Sequence, residues 1–557
     1  MGRAVLDGPP VPRGPVRRVS RPGGAASWAR VPGTARVWAI FLVIGLAAAF
    51  SLGVGWYQLL GMGEWHQYLE YDDGVWFGTA VRLAHGVLPY RSFVDDQPPG
   101  VPVLMLPFAL WSRSVGTRTA FAAARLVVPL VETVGVVALG WTVRHRGTLT
   151  TAIACGAMAV YPLCLIDQRT VMLEPFCATF CLLGLAAVFQ EDRLAGSAGR
   201  LAAAGACFGL AGACKAFALL PFVVVVAALL VSPARRRLAL FLAGTAVSFA
   251  VVCGPFLVVA PGAFVHDVVV TQVARSGVAE PSLYDRLASL VGSPPSTVPT
   301  GLADHRDRAL AVLIAVLIGA LVVSSYTVGR ARPRWPRARH GGAGCRWAGR
   351  EWFTPLDATA VLVVVVTGTA LAQPAAYYYH YAAFFGPFLA LMLGLAGGRL
   401  GLRAPVVLTV GAAGILMVGA LHAVQTVRAS PGGLPNVALI DRLVPPGACV
   451  LGDDAPTLVL ADRFSSATPG CTAVTDAFGT TISSDGGYTA GTPQGHSAGT
   501  VATWLDALEH SNYVVLALGY QERRIPWDAP ALQRYLGSHF QALTSSGDII
   551  LRRRAPP

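Results

Sequence analysis

The chain has 557 residues, of which 54% are apolar and 13% are charged, and its mean hydropathy is +0.55. An ordinary soluble domain carries about 25% charged residues, so this composition excludes a disordered chain, a coiled coil and a small disulfide scaffold. The net charge is +13, and every basic residue except Lys215 is arginine. The apolar residues form long continuous runs, which a bilayer requires and a soluble core does not. The sequence therefore predicts a polytopic α-helical membrane protein.

The placement of the arginines argues against nucleic-acid binding. Seven lie between Arg3 and Arg36, and seven more lie between Arg330 and Arg350. Both clusters flank long apolar runs, as the positive-inside rule expects of cytoplasmic segments. We expect residues 1–36, which are rich in Pro, Gly and Arg, to be a disordered cytoplasmic tail. The preference for Arg over Lys, with the abundance of Ala and Gly, indicates an actinobacterial type of source.

Eleven apolar runs are long enough to be candidate membrane spans. The first starts late and is long for the apolar core of a signal peptide, so we interpret it as an uncleaved anchor. The predicted spans are 37–60, 120–143, 148–166, 176–190, 200–214, 216–232, 237–260, 309–329, 356–373, 382–398 and 404–426. A twelfth run, from Pro99 to Trp111, has 13 residues and contains four Pro or Gly. A run of this length is typical of a re-entrant or juxtamembrane segment.

The orientation depends on whether the run from Pro99 to Trp111 crosses the membrane. If it does not cross and the N-terminus is inside, four basic loops lie in the cytoplasm. If it crosses, all four lie outside, which the positive-inside rule disfavours. The four loops are Arg144–Arg146, Arg235–Arg237, Arg330–Arg350, and the pair Arg399 and Arg403. We therefore predict about eleven spans within a transmembrane domain at 37–426, with a first outer loop at 61–119.

The C-terminal region, 427–557, is expected to be a small extracytoplasmic α/β domain. Its short apolar stretches predict strands at 450–451, 513–518 and 548–551 that alternate with helices at 501–508 and 529–540. Cys449 and Cys471 share this hydrophilic region. They could form a disulfide if the region faces an oxidising compartment.

The most informative stretch lies in the first outer loop, from Tyr71 to Gly100. Asp72 and Asp73 come just beyond the first span, and an amphipathic segment and a proline-rich return to the membrane follow. Carboxylates at a membrane surface can act as a general base toward a hydroxyl or hold a divalent cation. The alternative is an ordinary solvated acidic loop.

This stretch resembles the first outer loop of the GT-C superfamily of lipid-phosphate-sugar-dependent glycosyltransferases, of the protein mannosyltransferase and aminoarabinose transferase type. The matching pieces are Asp72-Asp73-Gly74, Gly86, Pro89-Tyr90-Arg91 and Gln97-Pro98-Pro99-Gly100. The residue before Pro-Pro in the family is Lys or His, whereas Gln97 carries no charge. Another arginine would then have to supply the contact to a lipid phosphate.

The resemblance also implies roles for residues in the later outward turns. Glu174, with Arg169 before it, matches an acidic position and would complete a carboxylate site with Asp72. Lys215 and His380 match positions that could contact phosphate or sugar. Each has a structural alternative: a turn acid at a helix start, a snorkelling interfacial cation, or an aromatic belt at the interface.

Three further residues are candidates because of their positions in the predicted spans and outer segments. Arg125, near the outer end of its span, and Arg275 are further candidates for a phosphate contact. Glu132 lies in mid-span, where an ionisable group is a functional candidate by default, although a packing role between helices is favoured.

The resemblance implies a glycosyltransferase that uses a polyprenyl-phosphate sugar at the outer face of the plasma membrane and inverts the anomeric centre. Its acceptor would be a cell-envelope glycan, lipid or protein. The catalytic residues would be Asp72, Asp73 and Glu174. The substrate-binding residues would be Arg91, Gln97, Arg125, Arg169, Lys215 and His380. A divalent cation, held by Asp72 and Glu174, is left open as a cofactor.

A transporter or flippase for a lipid-linked glycan is the main alternative function, and a non-catalytic envelope scaffold is another. Transporters usually show internal repeats and ionisable groups at mid-membrane. The chain has no evident repeat, and its acidic residues cluster in the first outer loop. The motifs of soluble nucleotide-dependent enzymes are also absent from the sequence.

Overall fold

The computed structural model describes residues 33–275, 281–292, 319, 353–373, 376–401, 405–429, 432–433, 437–485, 496–516, 524–544 and 549–554. Most of the predicted tail 1–36, nearly all of the predicted span 309–329 and the whole basic cluster Arg330–Arg350 lie outside these residues. The predicted count of eleven spans therefore stays a prediction.

The described residues before 430 are mostly helical. Its helices are α1 Gly33–Trp56, α2 Tyr71–Ala84, α3 Gly100–Val115, α4 Thr117–Val143, α5 Thr148–Ala159, α6 Pro162–Asp167, α7 Leu173–Val188, α8 Ala198–Cys214, α9 Leu219–Leu230, α10 Leu238–Val259, α11 Pro261–Val265, α12 Thr271–Ala274, α13 Leu283–Leu290, α14 Pro355–Ala372, α15 Tyr381–Gly401 and α16 Pro405–Ala429. A two-residue hairpin, β1 Phe189–Gln190 with β2 Arg193–Leu194, joins α7 to α8.

Five stretches of the described chain are long and apolar enough to cross a bilayer, judged by length and composition. They are Val37–Gly61, Thr117–Arg146, Pro233–Val259, Pro355–Ala372 and Tyr381–Leu400. The predicted spans at 148–166, 176–190, 200–214 and 216–232 coincide with shorter apolar helices. The predicted span at 148–166 is broken where α6 begins at Pro162, because proline cannot continue the preceding helix without losing a hydrogen bond.

The helices pack most tightly where small residues let two backbones approach. α8 and α10 meet at Gly205, where a Cβ atom would lie 1.9 Å from the carbonyl oxygen of Phe241. α7 lies between α8 and α4, and most of its residues are buried. The start of α7, which carries Glu174, is therefore held in the interior of the helical part.

The first outer loop forms two helices rather than one long turn. Glu70 caps α2 by accepting a hydrogen bond of 3.2 Å from the backbone N–H of Tyr71, and Gly86 follows the helix with φ of 80°. α3 covers the run predicted to be re-entrant or juxtamembrane. Its 16 residues span roughly 24 Å, shorter than the hydrocarbon core of about 30 Å.

The C-terminal region contains a small mixed sheet with strand order β3-β4-β6-β5. β3 Val450–Gly452 runs parallel to β4 Tyr513–Leu516, with Val450 opposite Tyr513. β6 Ile549–Arg553 runs antiparallel to both β4 and β5 Phe540–Ala542. The helices are α17 Val437–Leu443, α18 Ala455–Leu460, α19 Ala477–Ser484, α20 Ala498–Glu509 and α21 Pro530–His539.

Most of these elements match the predicted ones, but β5, α17, α18 and α19 were not predicted. They are short, and elements of three to eight residues leave little hydrophobic periodicity in a sequence. Cys449 and Cys471 are joined in a disulfide.

The C-terminal region packs directly on the first outer loop. Gly74 of α2 faces Pro456 of α18, where a Cβ atom would lie 2.5 Å from proline backbone atoms. Tyr68 and Gly433 exchange two backbone hydrogen bonds of 2.8 and 2.7 Å. The C-terminal region therefore covers one side of α2.

Candidate active site

The two adjacent acids at the start of α2 lie in different environments. Asp73 is fully buried in an ion pair with Arg125, and its Oδ2 accepts a 2.9 Å hydrogen bond from Nε of that residue. Its Oδ1 accepts a 2.6 Å hydrogen bond from the backbone N–H of Val171. Asp72 is partly exposed, because consecutive helical side chains point about 100° apart. Asp72 is therefore the more accessible of the two carboxylates.

The guanidinium of Arg125 forms hydrogen bonds with several groups. Besides the pair with Asp73, its Nη1 donates to the carbonyl oxygens of Trp65 at 3.1 Å and Gln67 at 2.8 Å. The guanidinium is not exposed. These bonds fasten the segment before α2 to α4, so the geometry favours a positioning role for Arg125 over the predicted phosphate contact.

Arg169 is paired with Glu64 rather than with Glu174. Its Nη1 lies 2.8 Å from each carboxylate oxygen of Glu64, and both side chains are buried. Arg169 with Glu64 and Arg125 with Asp73 are thus two neighbouring buried ion pairs, and the second pair includes the residue that follows Asp72.

Lys215, Glu174 and His380 come together from three separate turns. The Lys215 ammonium forms an ion pair with Oε1 of Glu174, and Nε2 of His380 lies 3.7 Å from the same oxygen. The ammonium also lies 4.6 Å from the ring centroid of Tyr381. Within the described part of the chain, Oε2 of Glu174 and Nδ1 of His380 have no hydrogen-bond partner. Burial lowers the pKa of His380 to about 3, so the imidazole is neutral.

Charged groups from four parts of the chain act on Asp72. Burial raises the pKa of this carboxyl, while Lys215 and Arg275 oppose the rise and Asp476 adds to it. Arg524 is a further cation within electrostatic range. A carboxylate facing several cations is suited to an anionic ligand that binds beside it, since the cations can share their charge between the two.

Gln97 is buried, and Arg275 provides the positive charge nearby. The Arg275 guanidinium forms an ion pair with Asp96, the residue before Gln97. The backbone of Gln97 is fixed by a 2.6 Å hydrogen bond that its carbonyl accepts from the Tyr90 hydroxyl. Tyr90 has φ of 64°, a left-handed conformation that is rare for a tyrosine, and its ring packs edge-on to Phe264.

Arg91 is the one predicted site residue that is exposed. It follows Tyr90 in the turn between α2 and α3. The structure brings the buried Glu174, Lys215 and His380 together, places the partly exposed Asp72 within electrostatic range of Lys215 and His380, and leaves Arg91 outside this group.

Three residues near Asp72 were not predicted as site residues. Glu70 accepts a hydrogen bond from the Tyr379 hydroxyl, and burial raises the pKa of its carboxyl to about 7. Asp476 and Arg524 arrive from the C-terminal region. About 400 residues separate them from Asp72, and nothing in local periodicity links positions so distant.

The sequence left open whether Asp72 and Glu174 hold a divalent cation, and the positions of their neighbours bear on this. Oε1 of Glu174 is taken up by the ammonium of Lys215, which also acts on Asp72. A cation between the two acids would meet that like charge, so Asp72 and Glu174 do not fit the role as arranged here. Over the ranges that the structure describes, no group of three His, Cys, Asp or Glu side chains is placed to hold a metal ion.

Comparison with known proteins gives structural likeness only. The sequence matches no family model and no curated protein. The fold is similar to ArnT from Cupriavidus metallidurans bound to undecaprenyl phosphate, with a TM-score of 0.57, 14% identity, and coverage of 92% of this chain and 98% of that one. It is also similar to the Archaeoglobus fulgidus oligosaccharyltransferase in complex with Zn and sulfate, with a TM-score of 0.50, 12% identity, and coverage of 92% and 73%.

These likenesses cover nearly the whole chain. Together with the apolar helices, they show a multi-pass membrane protein that shares its fold with these two proteins. The resemblance seen in the first outer loop is thereby confirmed at the level of the fold.

Proposed function

We propose that the protein is a membrane glycosyltransferase that moves a sugar from a polyprenyl-phosphate donor to a hydroxyl group at the outer face of the plasma membrane. The observation that carries this proposal is Asp72, a partly exposed carboxylate at the start of α2 that lies within electrostatic range of Lys215 and Arg275. The GT-C fold supports glycosyl transfer as the reaction class. The undecaprenyl phosphate bound to ArnT supports a lipid phosphate as the carrier.

The reaction is a single displacement. Asp72 accepts the proton of the acceptor hydroxyl while the hydroxyl oxygen forms a bond to the anomeric carbon of the sugar. The bond from that carbon to the phosphate oxygen breaks, and its electron pair stays on the lipid phosphate. The products are the glycoside, with inverted configuration, and the free polyprenyl phosphate.

Lys215 and Arg275 would stabilise the charge that the phosphate gains as it leaves. Each is already oriented by a carboxylate, Lys215 by Glu174 and Arg275 by Asp96. Donors held in place before the reaction stabilise developing charge at little cost in reorganisation. His380, neutral at physiological pH, would contact the phosphate or sugar by hydrogen bonding.

Asp73 and Arg125 take a positioning role in this proposal. Their buried pair fixes the first turn of α2 against α4 and the backbone of Val171. The pair of Glu64 with Arg169 supports the same segment. Asp72 is then presented on a rigid helix start.

The acceptor is proposed only as a class: a cell-envelope glycan, lipid or secreted protein. The cellular test is mass spectrometry of envelope glycans and lipid-phosphate sugars in cells without the gene, complemented by the wild type or by Asp72→Asn. We expect a missing glycan and an accumulated lipid-phosphate sugar in both the deletion and the Asp72→Asn strain. A complete lipid-linked glycan that accumulates on the inner leaflet would instead identify a flippase.

Asp73→Asn is the matched control, because it makes the same chemical change one residue away. Removing one partner of a buried ion pair destabilises a protein by roughly 3–5 kcal/mol. We expect Asp73→Asn to lower the amount of folded protein while the remaining folded protein keeps more activity than Asp72→Asn does.

A further inference from the structure

The side chain of Tyr71 connects Asp72, the proposed base, to the C-terminal region. Tyr71 is the first residue of α2 and immediately precedes Asp72. Its hydroxyl donates a 3.0 Å hydrogen bond to Oδ1 of Asp476 and accepts bonds from the backbone N–H groups of Ala477 at 2.8 Å and Phe478 at 3.3 Å. The phenol oxygen is thus held at the N-terminus of α19.

The ring of Tyr71 is held as firmly as its hydroxyl. It is buried, and Cζ of Arg524 lies 3.6 Å from its centroid. A cation at this distance over an aromatic face is attracted by the ring. The start of α19 and Arg524, two parts of the C-terminal region, therefore both contact the side chain of Tyr71.

Resting on the proposed function, we propose that Tyr71 is a positioning residue. By binding α19, it fixes the rotation of the first turn of α2 and thereby holds Asp72 toward the donor phosphate. The C-terminal region is then a working part of the active site and not only a place for the acceptor to bind.

The surroundings of Asp72 explain why this position matters. The groups within electrostatic range of Asp72 include Glu70, Lys215, His380 and Tyr381 from the helical part, Arg275 after α12, and Asp476 and Arg524 from the C-terminal region. Burial has the largest influence on its pKa and raises it. Loss of the Tyr71 contact would let the first turn of α2 rotate and expose Asp72 further, which would bring its pKa down toward the usual value for an aspartate.

The test compares Tyr71→Phe with Tyr68→Phe in the full-length protein. Tyr68 is a matched control, since its buried hydroxyl also donates a 3.0 Å bond to an acid of the C-terminal region, Asp454. We measure turnover of lipid-phosphate sugars extracted from cells without the gene, over a range of pH. We expect Tyr71→Phe to lower kcat about tenfold or more and to move the acid limb to lower pH. Tyr68→Phe should change kcat by no more than about twofold and leave the acid limb in place.

Loss of folded protein alone would lower turnover without moving the pH profile, so the profile separates positioning from simple destabilisation. Asp476→Asn, which can still accept the tyrosine bond, should retain more activity than Asp476→Ala. An unchanged kcat and pH profile in Tyr71→Phe would overturn the inference while leaving the glycosyltransferase proposal standing.

Hydrogen exchange tests whether Tyr71 holds α19 even if the wild type shows no turnover. Absence of turnover in the wild type would count against the proposed function and not against this contact. We expect faster exchange over residues 476–484 in Tyr71→Phe than in the wild type or Tyr68→Phe. Equal exchange in all three would show that Tyr71 does not hold α19.

Discussion

Glu70 shows how burial near the membrane surface tunes a neighbour of the proposed base. The side chain caps α2 and accepts a hydrogen bond from Tyr379, two residues before Tyr381, whose ring contacts Lys215. Burial raises its pKa to about 7, and Asp72 adds to the rise. Glu70 therefore keeps its proton over the pH range in which Asp72 loses its own.

This order of titration predicts that Glu70→Gln leaves the pH profile in place. A base must be deprotonated, so activity is lost as the pH falls through the pKa of Asp72. Glu70 is protonated and neutral over that range, so glutamine replaces it without a change of charge and its oxygen keeps the bond from Tyr379. A pH series of kcat/KM on the purified variant measures this, and an acid limb that moves to lower pH would show that Glu70 is ionised beside Asp72.

At the scale of elements, α2 is shaped by its close contact with α18. Gly74 and Gly78 face Pro456 and Phe464, and any side chain at Gly74 would collide with the proline backbone. The contact explains why glycine follows the two acids in this chain: it lets the C-terminal region approach to within reach of Tyr71.

Gly74→Ala should therefore separate the two elements. We expect a loss of roughly 1–3 kcal/mol in the free energy of unfolding, as for other overpacked interfaces, together with lower turnover. Thermal unfolding of the purified protein in detergent measures the first effect. Gly45→Ala is the control, because a Cβ atom there meets nothing within 4 Å. If both variants were as stable as the wild type, the close contact of α2 with α18 would be wrong.

At the scale of the whole molecule, the sequence predicted what depends on local pattern. Long apolar runs predicted the helical membrane part, and the short motif around Asp72 predicted a fold that the likeness to solved structures confirms. The resemblance predicted that Glu174 would complete a carboxylate site with Asp72, which stays a prediction, but it did not predict the ion pair of Glu174 with Lys215. The pairing of Asp73 with Arg125 and the arrival of Asp476 and Arg524 were not predicted, since tertiary packing decides which of two adjacent acids is buried.

The orientation in the membrane is the prediction that concerns the chain as a whole. We expect a reporter that is active only outside the cytoplasm to work when fused after Pro557 and to fail when inserted within 335–345. The first position follows from the C-terminal region being outside, and the second from the basic cluster being inside. The reverse pattern would mean that Pro99–Trp111 crosses the membrane.

The most direct measurement of the central claim is donor turnover by the purified protein in liposomes. Lipid-phosphate sugars extracted from cells without the gene are supplied with an envelope extract as acceptor, and the release of free polyprenyl phosphate is followed. We expect steady release by the wild type and a rate at least about a hundredfold lower for Asp72→Asn, the usual scale for loss of a positioned base. Near-normal release by folded Asp72→Asn would contradict the assignment of Asp72 as the base.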